Sequence, residues 1–241
     1  MNQGLAYAVN CSLLFTEVPL LQRPAAAAAA GFGAVEFWWP WPDQPVPPEH
    51  EVDDFVNAVR DAGVQLVGLN FFAGDLAGAD AGVVSLPHRV EEFRDNIDVV
   101  VAIGQALRVP AFNALYGVRV DDANPEQQDE VATANLALAA DAVGRIGGIV
   151  LVEPVSGPKP YPLRTAADVV AVLDRVDAPN VAFLCDLFHL ANNGDDLDVV
   201  VDTYADRIGH VQIADHPGRH EPGTGTLDLD RHLARIESAG Y

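Results

Sequence analysis

Glu153 in IVLVEPV, Asp186 in VAFLCDLFH and Gln212 in IGHVQIADHPGRHEPGTG each stand at or near the end of a short apolar run. Oxygen-bearing side chains at the carboxyl ends of parallel strands are how a (β/α) barrel assembles a hard-cation or proton-transfer site on one face. A carboxylate directly after IVLV is costly unless it is paired or metal-bound. Pro154 restricts the preceding backbone to an extended form, which presents Glu153 at the strand's mouth. The bland alternative for Glu153 is a capping or salt-bridged side chain at a loop start.

Asp186 precedes His189 by three residues, so the imidazole lies one turn on and can face the same cavity to meet a substrate hydroxyl or carbonyl. Asp186 could equally serve only as a helix N-cap. His210 and Gln212 alternate along HVQI and share one strand face. Inside a barrel that face is the lumen, where the Gln212 carbonyl suits Mg²⁺ or Mn²⁺ and His210 stands behind it, or where both belong to a hydrogen-bonded polar layer. Asp215, Arg219, His220 and Glu221 crowd the loop that follows. The Arg219 fork matches both oxygens of a carboxylate substrate. Glu36 and Asn70 close two earlier strands and could hydrogen-bond a substrate. Trp38, Trp39 and Trp41 could wall the pocket or simply pack a loop, and His50, His88, His216 and His232 read as surface or loop residues.

The elements that must position these groups alternate along the chain. Strands are expected at Leu5 to Cys11, Gly33 to Phe37, Val64 to Asn70, Ala111 to Tyr116, Ile149 to Glu153, Val181 to Asp186 and Ile208 to Ile213. Helices are expected at Val18 to Ala30, Glu49 to Ala62, Val90 to Leu107, Pro125 to Ile146, Ala166 to Val176, Leu197 to Asp206 and Leu229 to Ala239, with Asn124 as a cap before Pro125. The long segment FFAGDLAGADAGVVSLPHR after the third strand is of the kind that covers a site. Strands apolar on both faces indicate a parallel sheet wrapped by helices. Seven such units exceed the usual doubly wound sheet and approach a (β/α)₈ barrel lacking its eighth strand. No dinucleotide fingerprint or P-loop is present.

The chain has 241 residues and 49% hydrophobic composition, enough for one barrel domain over residues 1–241. Its net charge of −21, with Lys159 the only lysine, excludes a nucleic-acid backbone or an anionic membrane as natural partners. Cys11 and Cys185 fall in apolar strands and read as buried thiols. MNQGLAYAVN lacks a signal-peptide pattern, and no long apolar run occurs, so a cytoplasmic location is expected. Homo-oligomer formation is left open.

The segments LLFTEVPLLQRPAAAAAAGFGAVEF, NFFAGDLAGADAGVVSLPHRVEEFR, LVEPVSG, LCDLFH and RIGHVQIADHPGRHEPGTGTL are spread along nearly the whole chain. In them it resembles the hydroxypyruvate isomerases of the xylose-isomerase-like (β/α)₈ superfamily. The resemblance implies a divalent ion, Mg²⁺ or Mn²⁺, held by Glu153, Asp186 and Gln212. It also implies a fourth ligand and second acid-base Glu on an eighth strand after AGY, and hence a gene product longer than 241 residues. The implied substrate is a small hydroxy-oxo acid: hydroxypyruvate is interconverted with 2-hydroxy-3-oxopropanoate through an enediolate. Glu153 and His189 would act on it, Arg219 would hold its carboxylate, and Asn70, His210 and Glu36 would lie around it. Related readings are a 2-oxo-tetronate isomerase, a keto-sugar 3-epimerase, and a non-catalytic barrel without the eighth-strand Glu.

Overall fold

The computed structural model describes residues 4–76 and 78–241; the first three residues of the N-terminal segment, and Ala77 in the long loop, lie outside that set. Seven parallel strands pair in chain order: β1 Val9–Asn10, β2 Ala34–Phe37, β3 Gln65–Asn70, β4 Ala111–Asn113, β5 Ile149–Val152, β6 Val181–Asp186 and β7 Ile208–Gln212. The helices are α1 Arg23–Ala29, α2 Glu49–Ala62, α3 Val90–Leu107, α4 Pro125–Gly144, α5 Ala166–Val176, α6 Leu187–Asn193, α7 Leu197–Tyr204 and α8 Leu229–Ser238. Each strand is shorter than or equal to its expected length: β4, β5 and β7 stop early where the chain turns into the mouth loops, β2 and β3 start one residue late, and β1 is trimmed at both ends. The helix α6 was not foreseen; Asp186 caps it.

Alternation along the strands separates two apolar layers. Val150, Val152, Phe183, Cys185 and Phe112 face the helices and join the main core, while Ala111, Leu151 and Leu184, with Ile149 and Ala182, fill the lumen floor. Gly209 belongs to that floor: a Cβ there would meet Ala182 Cβ at 2.7 Å. The sheet is curled. Glu36 of β2 contacts His210 and Gln212 of β7, so side chains bridge the lumen between strands five places apart in the sheet. Among the described residues no strand joins β7 to β1.

Caps follow the sequence signals. Asn124 accepts from Gln127 N–H at 2.7 Å, and Thr165 with Asp168 forms a reciprocal capping box on α5. Cys11 and Cys185 are buried free thiols. Trp39 and Trp41 do not wall the lumen: they are buried against each other, and Trp41 against Phe55 of α2. Trp38 is half-buried. His232, expected at the surface, is buried on α8 beside Asp198. No helix among the described residues is long and apolar enough to cross a membrane.

Candidate active site

The strand parity that places Leu151 and Leu184 on the lumen floor places Glu153 and Asp186 above them at the carboxyl ends. Register sets the neighbours: Glu36 lies beside Gly68, Asn70 beside Asn113, and Asp186 beside Gln212. Gly68 is needed where it stands, since a Cβ would meet Glu36 Cγ at 3.2 Å and push that carboxylate aside. Glu36, Asn70, Asn113, Glu153, Asp186 and His189 are all buried polar residues. Glu36, Asn70, Asn113, His210 and Gln212 line a small cavity with an empty volume of about 210 Å³. A larger depression, about 930 Å³, lies on the outside between α7 and α8 and has none of these groups on its walls.

Glu153 is the most perturbed carboxyl. Burial, then the Asp186 charge, push its pKa up to about 8, against the opposing pull of the Asn113 amide and Arg219; Glu36 adds a smaller upward push. Asp186 does two things. Its Oδ1 accepts His189 N–H at 3.0 Å as the cap of α6, and its Oδ2 accepts from Arg219 Nη2 at 3.2 Å. The capping role and the lumen role therefore coincide in one side chain.

His189 is held by the loop after β5. Ser156 N–H donates to its Nδ1 at 3.0 Å, and Ser156 Oγ lies 2.8 Å from the same nitrogen. A ring nitrogen that accepts a backbone N–H carries no proton, so the proton of the neutral ring is on Nε2. Burial keeps that ring neutral by lowering its pKa, against the upward pull of Asp186. Nε2 is 3.8 Å from Asp186 Oδ2, too far for a hydrogen bond, which leaves its N–H available to a ligand.

Of the remaining residues singled out in the sequence, Glu36 accepts from Gln212 Nε2 at 2.9 Å and pairs closely with His210. The Gln212 amide nitrogen thus belongs to a hydrogen-bonded polar layer with Glu36 and His210. Asn70 is buried in the same cavity. Arg219 is not a free fork, since it pairs with Asp186 and lies over the Phe188 ring at 5.4 Å. Its loop is ordered by Asp215, which has no exposed surface. The Asp215 carboxylate accepts from His216, Gly223 and Leu227 N–H groups at 2.9, 2.8 and 3.1 Å.

Two residues escaped the sequence reading. Asn113, in AFNAL, looked like an ordinary strand residue, and only the register that sets it beside Asn70 on one side and Leu151, two residues before Glu153, on the other gives it meaning. Ser156 carried no signal except its place three residues after Glu153. Among the described residues no three His, Cys, Asp or Glu side chains converge as a ready cation cage. The oxygen donors near one another are two carboxylates, Glu153 and Asp186, with the Gln212 amide on the neighbouring strand.

Residues 24–241 match the model of the xylose isomerase-like TIM barrel family, and the chain belongs to that family. It is 54% identical over 97% of its length to a putative hydroxypyruvate isomerase of Streptomyces coelicolor, covering 86% of that protein. Hydroxypyruvate isomerase of Escherichia coli is 29% identical over 98% of the chain and 90% of the relative, and 2-oxo-tetronate isomerase of Pectobacterium atrosepticum 32% identical over 98% and 88%. Among solved structures, AP endonuclease, family 2, from Brucella melitensis superposes with a TM-score of 0.87 at 32% identity, over 98% of this chain and 89% of that one.

Proposed function

We propose that the protein is an aldose-ketose type isomerase that interconverts hydroxypyruvate and 2-hydroxy-3-oxopropanoate. The observation that carries this is Glu153: a buried carboxyl at the mouth of β5, set with Asp186 and with a neutral imidazole whose Nε2–H is unengaged. A carboxyl in that position can both take and return a proton. The 54% identity to the Streptomyces coelicolor protein supports the substrate.

In this reading Glu153 removes a proton from C3 of hydroxypyruvate. The C–H electrons form a C2–C3 double bond, and the carbonyl electrons move to the oxygen on C2. His189 Nε2–H donates a hydrogen bond to that oxygen as its charge develops. The proton held by Glu153 returns at C2, while the hydroxyl proton passes from the C3 oxygen to the C2 oxygen and leaves an aldehyde at C3. Arg219 holds the substrate carboxylate with the part of its fork that faces away from Asp186.

The donor set fits a hard divalent cation such as Mg²⁺ or Mn²⁺, held by Glu153, Asp186 and Gln212. The repulsion from Asp186 and Glu36 that contributes to the raised Glu153 pKa is what a cation there would relieve. When bound, the ion supplies charge stabilisation for an enediolate. Chelation should therefore abolish turnover, and added Mn²⁺ or Mg²⁺ should restore it.

A four-carbon 2-oxo acid is the second reading, favoured by the 2-oxo-tetronate isomerase relative. Parallel turnover of hydroxypyruvate, 2-oxo-tetronate and D-fructose separates these, and Arg219→Leu separates acids from sugars. The proposal expects hydroxypyruvate to have the highest kcat/KM and R219L to abolish it. A best rate on the sugar, or equal losses for acid and sugar, would overturn it. A nucleic-acid substrate is opposed by the net charge of −21.

A further inference from the structure

Asn113 ends β4 with its side chain in the lumen, 5% exposed, between its register partner Asn70 and Glu153. The Asn113 amide favours the charged form of the Glu153 carboxyl and so lowers the pKa of that group. In its ionised, proton-abstracting form the Glu153 carboxylate only accepts, so in that form the NH₂ side of the amide faces it. That orientation turns Oδ1 away. Oδ1 is fully buried and meets no donor among the described residues.

The other buried atoms in that condition, on Asp198, His232 and Arg235, are ion-pair partners of one another on the outer helices. Asn113 Oδ1 is thus the unmatched buried acceptor of the barrel mouth. Buried carbonyl oxygens are nearly always paired, and one left open within a cavity is a place for a ligand's donor. The substrate class proposed above has such a donor in the hydroxyl next to its carbonyl.

We propose that Asn113 is a substrate-binding residue whose Oδ1 accepts a hydrogen bond from the hydroxyl of a 3-hydroxy-2-oxo acid while its amide holds Glu153. This rests on the isomerase reading. It deepens that reading by naming what the site demands of its ligand: an oxo acid without the hydroxyl cannot satisfy Oδ1 and is rejected. Sites that hydrogen-bond a substrate hydroxyl discriminate strongly against analogues that lack it.

The test compares the Mn²⁺-loaded wild type with N113A and N113D, using KM for hydroxypyruvate, the inhibition constant of pyruvate, and Mn²⁺ affinity. In N113A the KM should rise about ten-fold while pyruvate inhibition and Mn²⁺ affinity stay within about two-fold. N113D, which keeps an acceptor and the side-chain shape, should hold KM within about three-fold but lose kcat, because Glu153 then faces a like charge. If N113A does not fold, the KM-against-kcat split of N113D decides alone. Equal factors for hydroxypyruvate and pyruvate, or lost Mn²⁺ affinity with ligand discrimination intact, would overturn the inference. A wild type that turns over beside an unchanged N113A also removes it, but leaves the isomerase reading standing; a wild type inactive on hydroxypyruvate removes both.

Discussion

Ser156 N–H donates to His189 Nδ1 at 3.0 Å, and this bond, made by the loop after β5 to a residue of α6, decides which imidazole nitrogen carries the proton. If His189 works as a neutral Nε2–H donor, an amide that places N–H at the same point should replace it in part. His189→Gln is expected to retain activity within about ten-fold of wild type, and His189→Ala to lose about a hundred-fold or more. Steady-state kcat measures both, and equal losses would show that the ring acts by exchanging protons.

The raised pKa of Glu153 has a consequence for stability. A carboxyl whose folded pKa is about 8 against an unfolded value near 4.3 favours folding below the lower value, and that contribution is lost as pH rises through the window to 8. Chelated wild type should lose thermal stability across this range, whereas Glu153→Gln should lack that component and have a higher Tm at pH 8. Activity should move oppositely, with E153Q reduced by at least about a hundred-fold.

Asp215 shifts the other way. The backbone N–H of Gly225 above all, with those of Leu227, Gly223 and His216, holds its pKa down to about 2. Its stabilising contribution is present above the unfolded value near 3.9 and disappears as pH falls toward 2. Asp215→Ala should loosen the loop that presents Arg219 and raise the KM for the acid substrate more than it lowers kcat. A KM unchanged beside a lower kcat would contradict this.

Much of the architecture was legible because it rests on periodicity. Runs such as IVLV and VAFLC have to be covered on both faces, and Asn124 with Pro125 marks the start of α4 by its capping chemistry alone. The strand-end residues Glu153, Asp186 and Gln212 were legible for the same reason: a polar group after an apolar run has one place to go. The fate of Trp39 and Trp41 was not, since a proline-rich loop has no period to show which way its aromatic rings turn. Nor was Asn113, whose role depends on register with β3 and β5. The pairing of Arg219 with Asp186 was not legible either, because Asp186 lies 33 residues away and meets it only once β6 and β7 pair.

The loop crossing at Gly82 is a local packing test. Gly82 has φ +122°, and a Cβ there would lie 2.4 Å from Leu115 O, a backbone atom that cannot move aside. Gly82→Ala should cost about 2 kcal/mol or more and lower Tm by several degrees. Gly157→Ala, at φ +137° with nothing within 4 Å of its added Cβ, has only the backbone strain and should cost less. Equal Tm values for the two would contradict the crossing.

The most direct measurement is hydrogen exchange at the reacting carbon. Purified protein with Mn²⁺ is incubated with hydroxypyruvate in D₂O, and the C3 protons are followed by NMR against E153Q and protein-free controls. Wild type should wash deuterium into C3, and into C2 of the 2-hydroxy-3-oxopropanoate formed, at rates far above both controls. Exchange no faster than E153Q would contradict proton transfer by Glu153 and leave a barrel that binds without catalysing.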